Sequence, residues 1–300
     1  MSKHLARVCV PALAVLALAG CGSSNNSSTT TTSTTTSPSS GANASIAAQV
    51  PSDIKSRGFI TVASDATYAP NEFIAPDGHT VIGMDADLVN ALAEVMGVKA
   101  HIVNATFDTI IPGLAAGKYD MGASSFTDTK EREKTVDFVT YFQAGVSFYA
   151  KAGSNTGIKT LSDICGKTVS VEKGTTEQEE ATEQSGKCAK EGKKPVTVLS
   201  YPTQNEANLA IASGRAQVGM ADSPVAEYQV KQSNGQFELV GETYGTAPYG
   251  LAFPKGSGLT QPVLAALKEL MANGTYTKIL KKWGVEAGAI TEPKINGAIS

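Results

Sequence analysis

The chain has 300 residues, 25 Lys and Arg against 28 Asp and Glu, a formal net charge of −3, and 18% charged residues. That length suggests two domains. The slightly acidic balance excludes the concentrated basic face that nucleic-acid binding needs. The three histidines are His4, His79 and His101, little material for a metal site or a histidine relay. HExxH, GxSxG and GxGxxG are all missing, so the common zinc-protease, hydrolase and dinucleotide signatures are excluded.

Residues 1–20 have the shape of a secretory signal peptide: Lys3 and Arg7, an apolar run from Val8 to Leu18, then Ala19 and Gly20. The ending Leu18-Ala19-Gly20-Cys21 resembles the bacterial lipobox, which implies cleavage before Cys21 and lipid attached to it. Residues 21–56 are then expected to be a disordered tether, because 15 of the 18 residues in 23–40 are Ser or Thr and bury nothing against the entropy of ordering. Such a Ser/Thr tract is also a possible O-glycosylation stalk. With Cys9 removed and Cys21 lipidated, Cys165 and Cys188 remain as an even pair in an exported protein. A disulfide between them is expected.

From Arg57 onward the pattern alternates strand and helix. A strand is expected over 59–64. Asp77-Gly78 marks a hairpin between Glu72-Phe73-Ile74 and Thr80-Val81-Ile82. Asp85 is placed to cap a helix carrying Leu88, Leu92 and Val95 on one face, closed by Gly97. A strand at 101–103 precedes a helix over 108–117. Strands at 168–171 and 196–200 alternate with helices after Gly174 and over 205–213. A last helix begins at Thr260 and stops at Asn273-Gly274. His79 falls at a hairpin tip and His101 in a strand, so neither is read as a catalyst. No stretch after residue 21 is long enough to span a bilayer.

One pattern occurs twice. Leu114-Ala115-Ala116-Gly117-Lys118 leads through a short strand to Ser124-Ser125, and Ala210-Ile211-Ala212-Ser213-Gly214-Arg215 leads likewise to Asp222-Ser223. Ligands of open α/β sheets bind beyond the carboxyl ends of strands. Two such units therefore suggest two similar lobes that present polar strand ends to a shared cleft. Downstream of the first, Arg132 suits a carboxylate gripped by two parallel hydrogen bonds, with Ser125 and Thr127 as further donors. Asp222, from the other unit, suits an ammonium group. A cation facing an anion across a cleft is a receptor for a zwitterion such as an amino acid.

These residues sit in a longer series. It includes Ala63-Ser64-Asp65-Ala66-Thr67-Tyr68-Ala69-Pro70, Gly83-Met84-Asp85-Ala86-Asp87-Leu88 and Phe107-Asp108-Thr109-Ile110-Ile111-Pro112-Gly113-Leu114. Thr127 to Arg132, Gly166-Lys167-Thr168-Val169, Gly174-Thr175-Thr176, Asp222 and Lys282-Trp283-Gly284 continue it. In order and spacing the series resembles the polar amino-acid binding proteins of ABC importers, extracellular solute-binding family 3, over about residues 57–285. The resemblance implies an α/β, two-lobed periplasmic-binding-protein fold with two open sheets joined by two crossover strands. Lobe 1 would comprise 57–145 and 246–290, lobe 2 would comprise 146–245, and 291–300 would be a tail. It implies Arg132 for the ligand's α-carboxylate, Asp222 for its α-ammonium, contacts from Ser125 and Thr127, and an amide donor at Thr176. It also implies Tyr68 and Phe107 flanking the ligand side chain, with Asp65 and Glu172 at its tip.

Asn71 stands where the family usually has an aromatic, which is expected to alter the cleft rim. Met84 and Val139-Thr140-Tyr141 depart from the usual residues in ways expected to affect packing. The resemblance implies a monomeric, lipid-anchored receptor on the outer face of the bacterial cytoplasmic membrane that delivers an amino acid to an ABC permease, with no cofactor and no metal. The acidic tip residues favour arginine or lysine, then glutamine or histidine, over glutamate and aspartate. The alternative is an exported enzyme on the same scaffold, such as a cyclohexadienyl dehydratase, with Glu172 as a general acid. A signalling receptor or transglycosylase would need a further domain.

Overall fold

Apolar residues at spacings of four, Ile46, Val50 and Ile54, put two short helices where the composition pointed to a tether. The computed structural model describes residues 41–299, and α1 (Ala44–Gln49), its C-cap Val50 and α2 (Ser52–Arg57) bury all three side chains in the main core. Asn43 caps α1 through its side chain, as a short amide favours. The expectation of a tether reaching residue 56 is corrected on this point. The signal segment 1–20, Cys21 and residues 22–40 lie outside the described residues.

β1 (Phe59–Ser64) follows, then a small antiparallel sheet of β2 (Thr67–Tyr68), β3 (Glu72–Ile74) and β4 (Val81–Ile82). α3 (Met84–Val95) begins one residue before Asp85. Asp85 does not cap it but is fully buried inside its first turn. The cause is Gly83. Its φ is 134° and a Cβ there would collide with the Asn71 carbonyl, so only glycine admits the close approach that seats the Asp85 amide on that carbonyl at 2.9 Å.

β5 (Lys99–Asn104), α4 (Phe107–Ala115) and β6 (Met121–Gly122) complete the first flank, and the long β7 (Val136–Lys151) leaves it. β8 (Thr168–Glu172), α5 (Thr176–Lys190), β9 (Thr197–Tyr201), α6 (Gln204–Ala212), β10 (Val218–Asp222) and α7 (Ser223–Gln232) build the second flank. β11 (Phe237–Pro254) returns to the first, where α8 (Thr260–Ala272) and α9 (Thr275–Trp283) close it.

The large sheet runs β5-β1-β6-β11-β7-β10-β8-β9. Each flank is parallel, and the central β7/β11 pair is antiparallel. The two expected sheets are these flanks. The crossover strands join them into one hydrogen-bonded ladder whose register shifts at Val240/Tyr244, Tyr244/Ala247 and Tyr249/Gly250. Such irregularities bend a strand and raise its twist, which suits the place where two lobes meet.

The main apolar core packs Ile60, Val62, Leu88, Leu92, Val263 and Leu267 between the first flank and its helices. A second core gathers Val169, Val171, Val218, Ile164 and Ala181 under the second. Cys165 and Cys188 are disulfide-bonded against this second core, with Cα atoms 5.7 Å apart. The bridge closes a loop across a separation of 23 residues, which restricts the unfolded chain by about 3 kcal/mol. A Cys165→Ala/Cys188→Ala double variant is expected to melt about 10 °C lower, read by circular dichroism; an unchanged melt would contradict that contribution.

Residues 290–299 are not a free tail. Ile295 bridges Val139, Asn296 accepts from the Phe138 amide at 2.8 Å, and the Gly297 amide donates to Asp128 at 2.7 Å. Among the described residues, no helix is long and apolar enough to cross a membrane.

Candidate functional site

The carboxyl ends of β1, β6, β8 and β10 converge on one narrow cavity between the flanks. Asp65 follows β1, Tyr68 ends β2, Phe107 opens α4, and Ser125 and Thr127 follow β6. Arg132 starts a 3-10 turn, Glu172 ends β8, Thr176 opens α5 and Asp222 ends β10. All nine sequence-predicted ligand residues line this cavity. The two repeated helix–strand units deliver Ser125 and Asp222 to it from opposite sides. A wider groove behind the crossover strands, lined in part by Phe142, Tyr228 and Trp283, has one acid and one cation, Glu227 and Lys231, both on α7 rather than on opposite flanks.

At one end the Arg132 guanidinium lies over the rings of Phe107 and Phe126, at 5.5 and 5.8 Å. Its Nη1 donates to the Thr127 carbonyl at 2.9 Å and its Nη2 to the Gly174 carbonyl at 3.0 Å. These contacts fix the plane of the fork while leaving other N–H groups free. Thr127 and Thr176 face each other across the lobes, with hydroxyl oxygens 3.5 Å apart.

Ser125 is held in the left-handed region, φ 49°, a conformation that costs a non-glycine residue free energy. The residues behind it maintain that conformation. Its amide donates to Asp85 at 2.9 Å and its hydroxyl to Glu72 at 3.1 Å. Asp85 also accepts from the Tyr141 hydroxyl at 2.7 Å. Asn71 is fully buried here, donating to the Ser125 hydroxyl at 2.9 Å. It does not reach the cleft rim, which corrects that expectation. Met84 is packed in the core, as a packing departure should be.

At the other side Asp222 accepts from the Tyr68 hydroxyl at 2.9 Å. Burial raises its pKa from 3.8 to about 6, offset in part by the nearby Tyr249 hydroxyl, the hydrogen bond from Tyr68 and the charge of Arg132. Asp65 accepts from the Phe107 amide at 2.9 Å and the Thr67 hydroxyl at 2.6 Å. Both of its oxygens are therefore engaged by the protein. Glu172 keeps a buried Oε1 without a partner. Burial, reinforced by the neighbouring Asp65 and Glu177, pushes its pKa well above the ordinary range. Lys173 turns away from it and pairs with Asp108 at 2.8 Å. The adjacent cation thus binds across the lobes rather than neutralising the pocket.

Sequence reasoning missed Ser124, Thr175 and Glu177, which also line the cavity. Thr175 caps α5, a role a Gly-Thr-Thr run does signal. Glu177 reads in sequence as an ordinary acid favoured by the helix dipole. Its burial became visible only when the start of α5 was seen to face the cleft. His79 is exposed at the hairpin tip, and His101 lies edge-on to Phe59 on an edge strand.

The raised carboxyls predict a pH dependence. Their folded-state pKa values exceed the unfolded ones, so they favour the folded state fully below about pH 4 and lose that contribution as pH rises through about 6 for Asp222. The ligand-free protein is expected to lose stability at these groups between pH 5 and 8, and a cationic ligand to restore it. Denaturant midpoints at both pH values, with and without arginine, check this; no ligand-dependent change in the pH slope would contradict it.

With this geometry the comparisons with known proteins agree. Residues 60–286 match the model of the bacterial extracellular solute-binding proteins, family 3, and the chain belongs to that family. It is 39% identical to the arginine-binding protein ArgT of Corynebacterium glutamicum, over 84% of this chain and 82% of that one. Among solved structures it is similar to an ancestral arginine-binding protein bound to arginine. That match has TM-score 0.69 and 39% identity, and covers 76% of this chain and 98% of the other. It is also similar to a variant of ArgBP from T. maritima, with TM-score 0.70 and 32% identity, covering 77% and 97%.

Proposed function

We propose that this protein captures a free amino acid between its lobes, arginine or lysine first, and hands it to an ABC importer. One observation carries the reading: Arg132 and Asp222, from opposite flanks, face one buried cavity with polar strand ends around it. A zwitterion satisfies both charges at once. The buried, unpartnered oxygen of Glu172 favours a ligand whose side chain donates hydrogen bonds. The names of the relatives, arginine-binding proteins, support the same ligand class. They are binding proteins, and the chain is a receptor rather than an enzyme.

Binding works through closure. Arg132 reaching Gly174, Tyr68 reaching Asp222, Lys173 on Asp108, and the Gln204 amide on the Thr67 hydroxyl at 3.1 Å all link residues on opposite sides of the cleft. A ligand touching both lobes stabilises that arrangement by as much as it prefers it over an open one, and the permease reads the closed surface. The proposed lobes are 57–145 with 246–290, and 146–245. Lipid on Cys21, a signal segment before it and a Ser/Thr tether complete the proposed placement on the outer face of the cytoplasmic membrane.

The test is a thermal-shift screen of the twenty amino acids on ligand-free protein. A ligand at a hundredfold excess over Kd adds about 2.7 kcal/mol. Arginine or lysine giving the largest shift supports the reading, and no shift with any amino acid refutes it.

A further inference from the structure

We propose that Glu177 is a second carboxylate of the ammonium receptor, so that the ligand's α-amino group is held between Asp222 and Glu177; this rests on the amino-acid reading above. Glu177 is the second residue of α5, is 2% exposed and lines the cavity. Its Oε2 accepts from the Thr176 hydroxyl at 3.2 Å, while Oε1 is buried without any partner. A buried carboxylate oxygen left without a donor is costly, and the cavity is the direction from which a donor can come.

Position decides which part of the ligand supplies it. The carboxyl of Glu177 interacts most strongly with that of Asp222 and more weakly with Glu172 at the tip. Arg132 is close enough to Glu177 for its charge to be felt but does not pair with it. That guanidinium directs Nη1 and Nη2 to the Thr127 and Gly174 carbonyls and makes no ion pair with Glu177. Two acids brought together from the end of β10 and the start of α5, with one unpartnered oxygen, present acceptors to a group bearing several N–H donors and a positive charge. A primary ammonium has three such donors and the charge. A hydroxyl or an acylated amine has neither the number nor the charge, so the receptor should reject α-hydroxy and N-acyl analogues.

The experiment is calorimetry on the full chain, wild type and Glu177→Gln, with two ligands: arginine, and guanidinovaleric acid, which is arginine without its α-amino group. The substitution keeps size and shape and removes the charge. Arginine binding is expected to weaken about ten- to a hundredfold, the effect of a charged hydrogen bond. Binding of the deaminated analogue should stay within about twofold, which also shows that the cleft remains intact. Equal losses for both ligands, loss of all binding, or no loss for arginine would each overturn the role of Glu177. Wild-type protein that binds neither ligand contradicts the amino-acid reading itself, and this role falls with it.

Discussion

Arg132→Ala is expected to lose nearly all ligand affinity while the protein still folds. The guanidinium lies over two aromatic rings and is fixed by two carbonyls, so it is oriented before any ligand arrives. Removing one partner of a desolvated charge pair costs about 2–5 kcal/mol, a weakening of roughly thirty-fold to several thousand-fold. Folding should survive, because Arg132 sits in a short surface turn outside the apolar cores. Arg132→Lys should fail almost as badly, since an ammonium cannot reproduce the planar fork or bridge both carbonyls. Calorimetry with arginine on each variant measures the loss; wild-type affinity in a folded Arg132→Ala protein would remove this residue from the site.

Asp222→Asn is expected to move binding and stability in opposite directions. The amide keeps the size of the carboxyl but removes the charge proposed to face the ligand's ammonium. Affinity should fall by about 2–3 kcal/mol. In the ligand-free protein the same change removes a buried acid whose pKa stands at about 6 instead of 3.8, a cost to its ionised form of about 3 kcal/mol. At pH 8, where Asp222 is ionised, the unliganded variant should therefore match or exceed wild type in denaturant midpoint. A variant that is both weaker in binding and much less stable would assign Asp222 a structural role instead.

How far such residues were legible in the sequence depended on whether their chemistry is local. Strand ends, the hairpin at Asp77-Gly78, the helix bearing Leu88 and Leu92, and the cysteine pair follow from short-range pattern, and the structure places them close to the expected positions. The nine expected ligand residues were assembled by resemblance, and they share one cavity. What escaped depends on distant neighbours. Ile46, Val50 and Ile54 are three apolar residues beside a Ser/Thr tract, and the core they cover orders the two short helices around them. Asp85 looked like a cap because its role behind Ser125 requires Gly83 to bring the chain against Asn71. Asn71 looked like a rim residue because its partner, Ser125, is 54 positions away. Glu177 was not singled out, because its burial depends on α5 beginning inside the cleft.

The most direct measurement of the central claim is titration calorimetry of ligand-free protein with arginine and with glutamate, at pH 7.5 in the same buffer. Both ligands carry the α-carboxylate and α-ammonium that Arg132 and Asp222 are proposed to receive, and they differ in the charge presented to Asp65 and Glu172. Like charges repel in a desolvated cleft, so arginine should bind at least about a hundredfold more tightly than glutamate. Glutamate binding as tightly as arginine would contradict the acidic pocket, and the absence of binding by either would contradict the receptor.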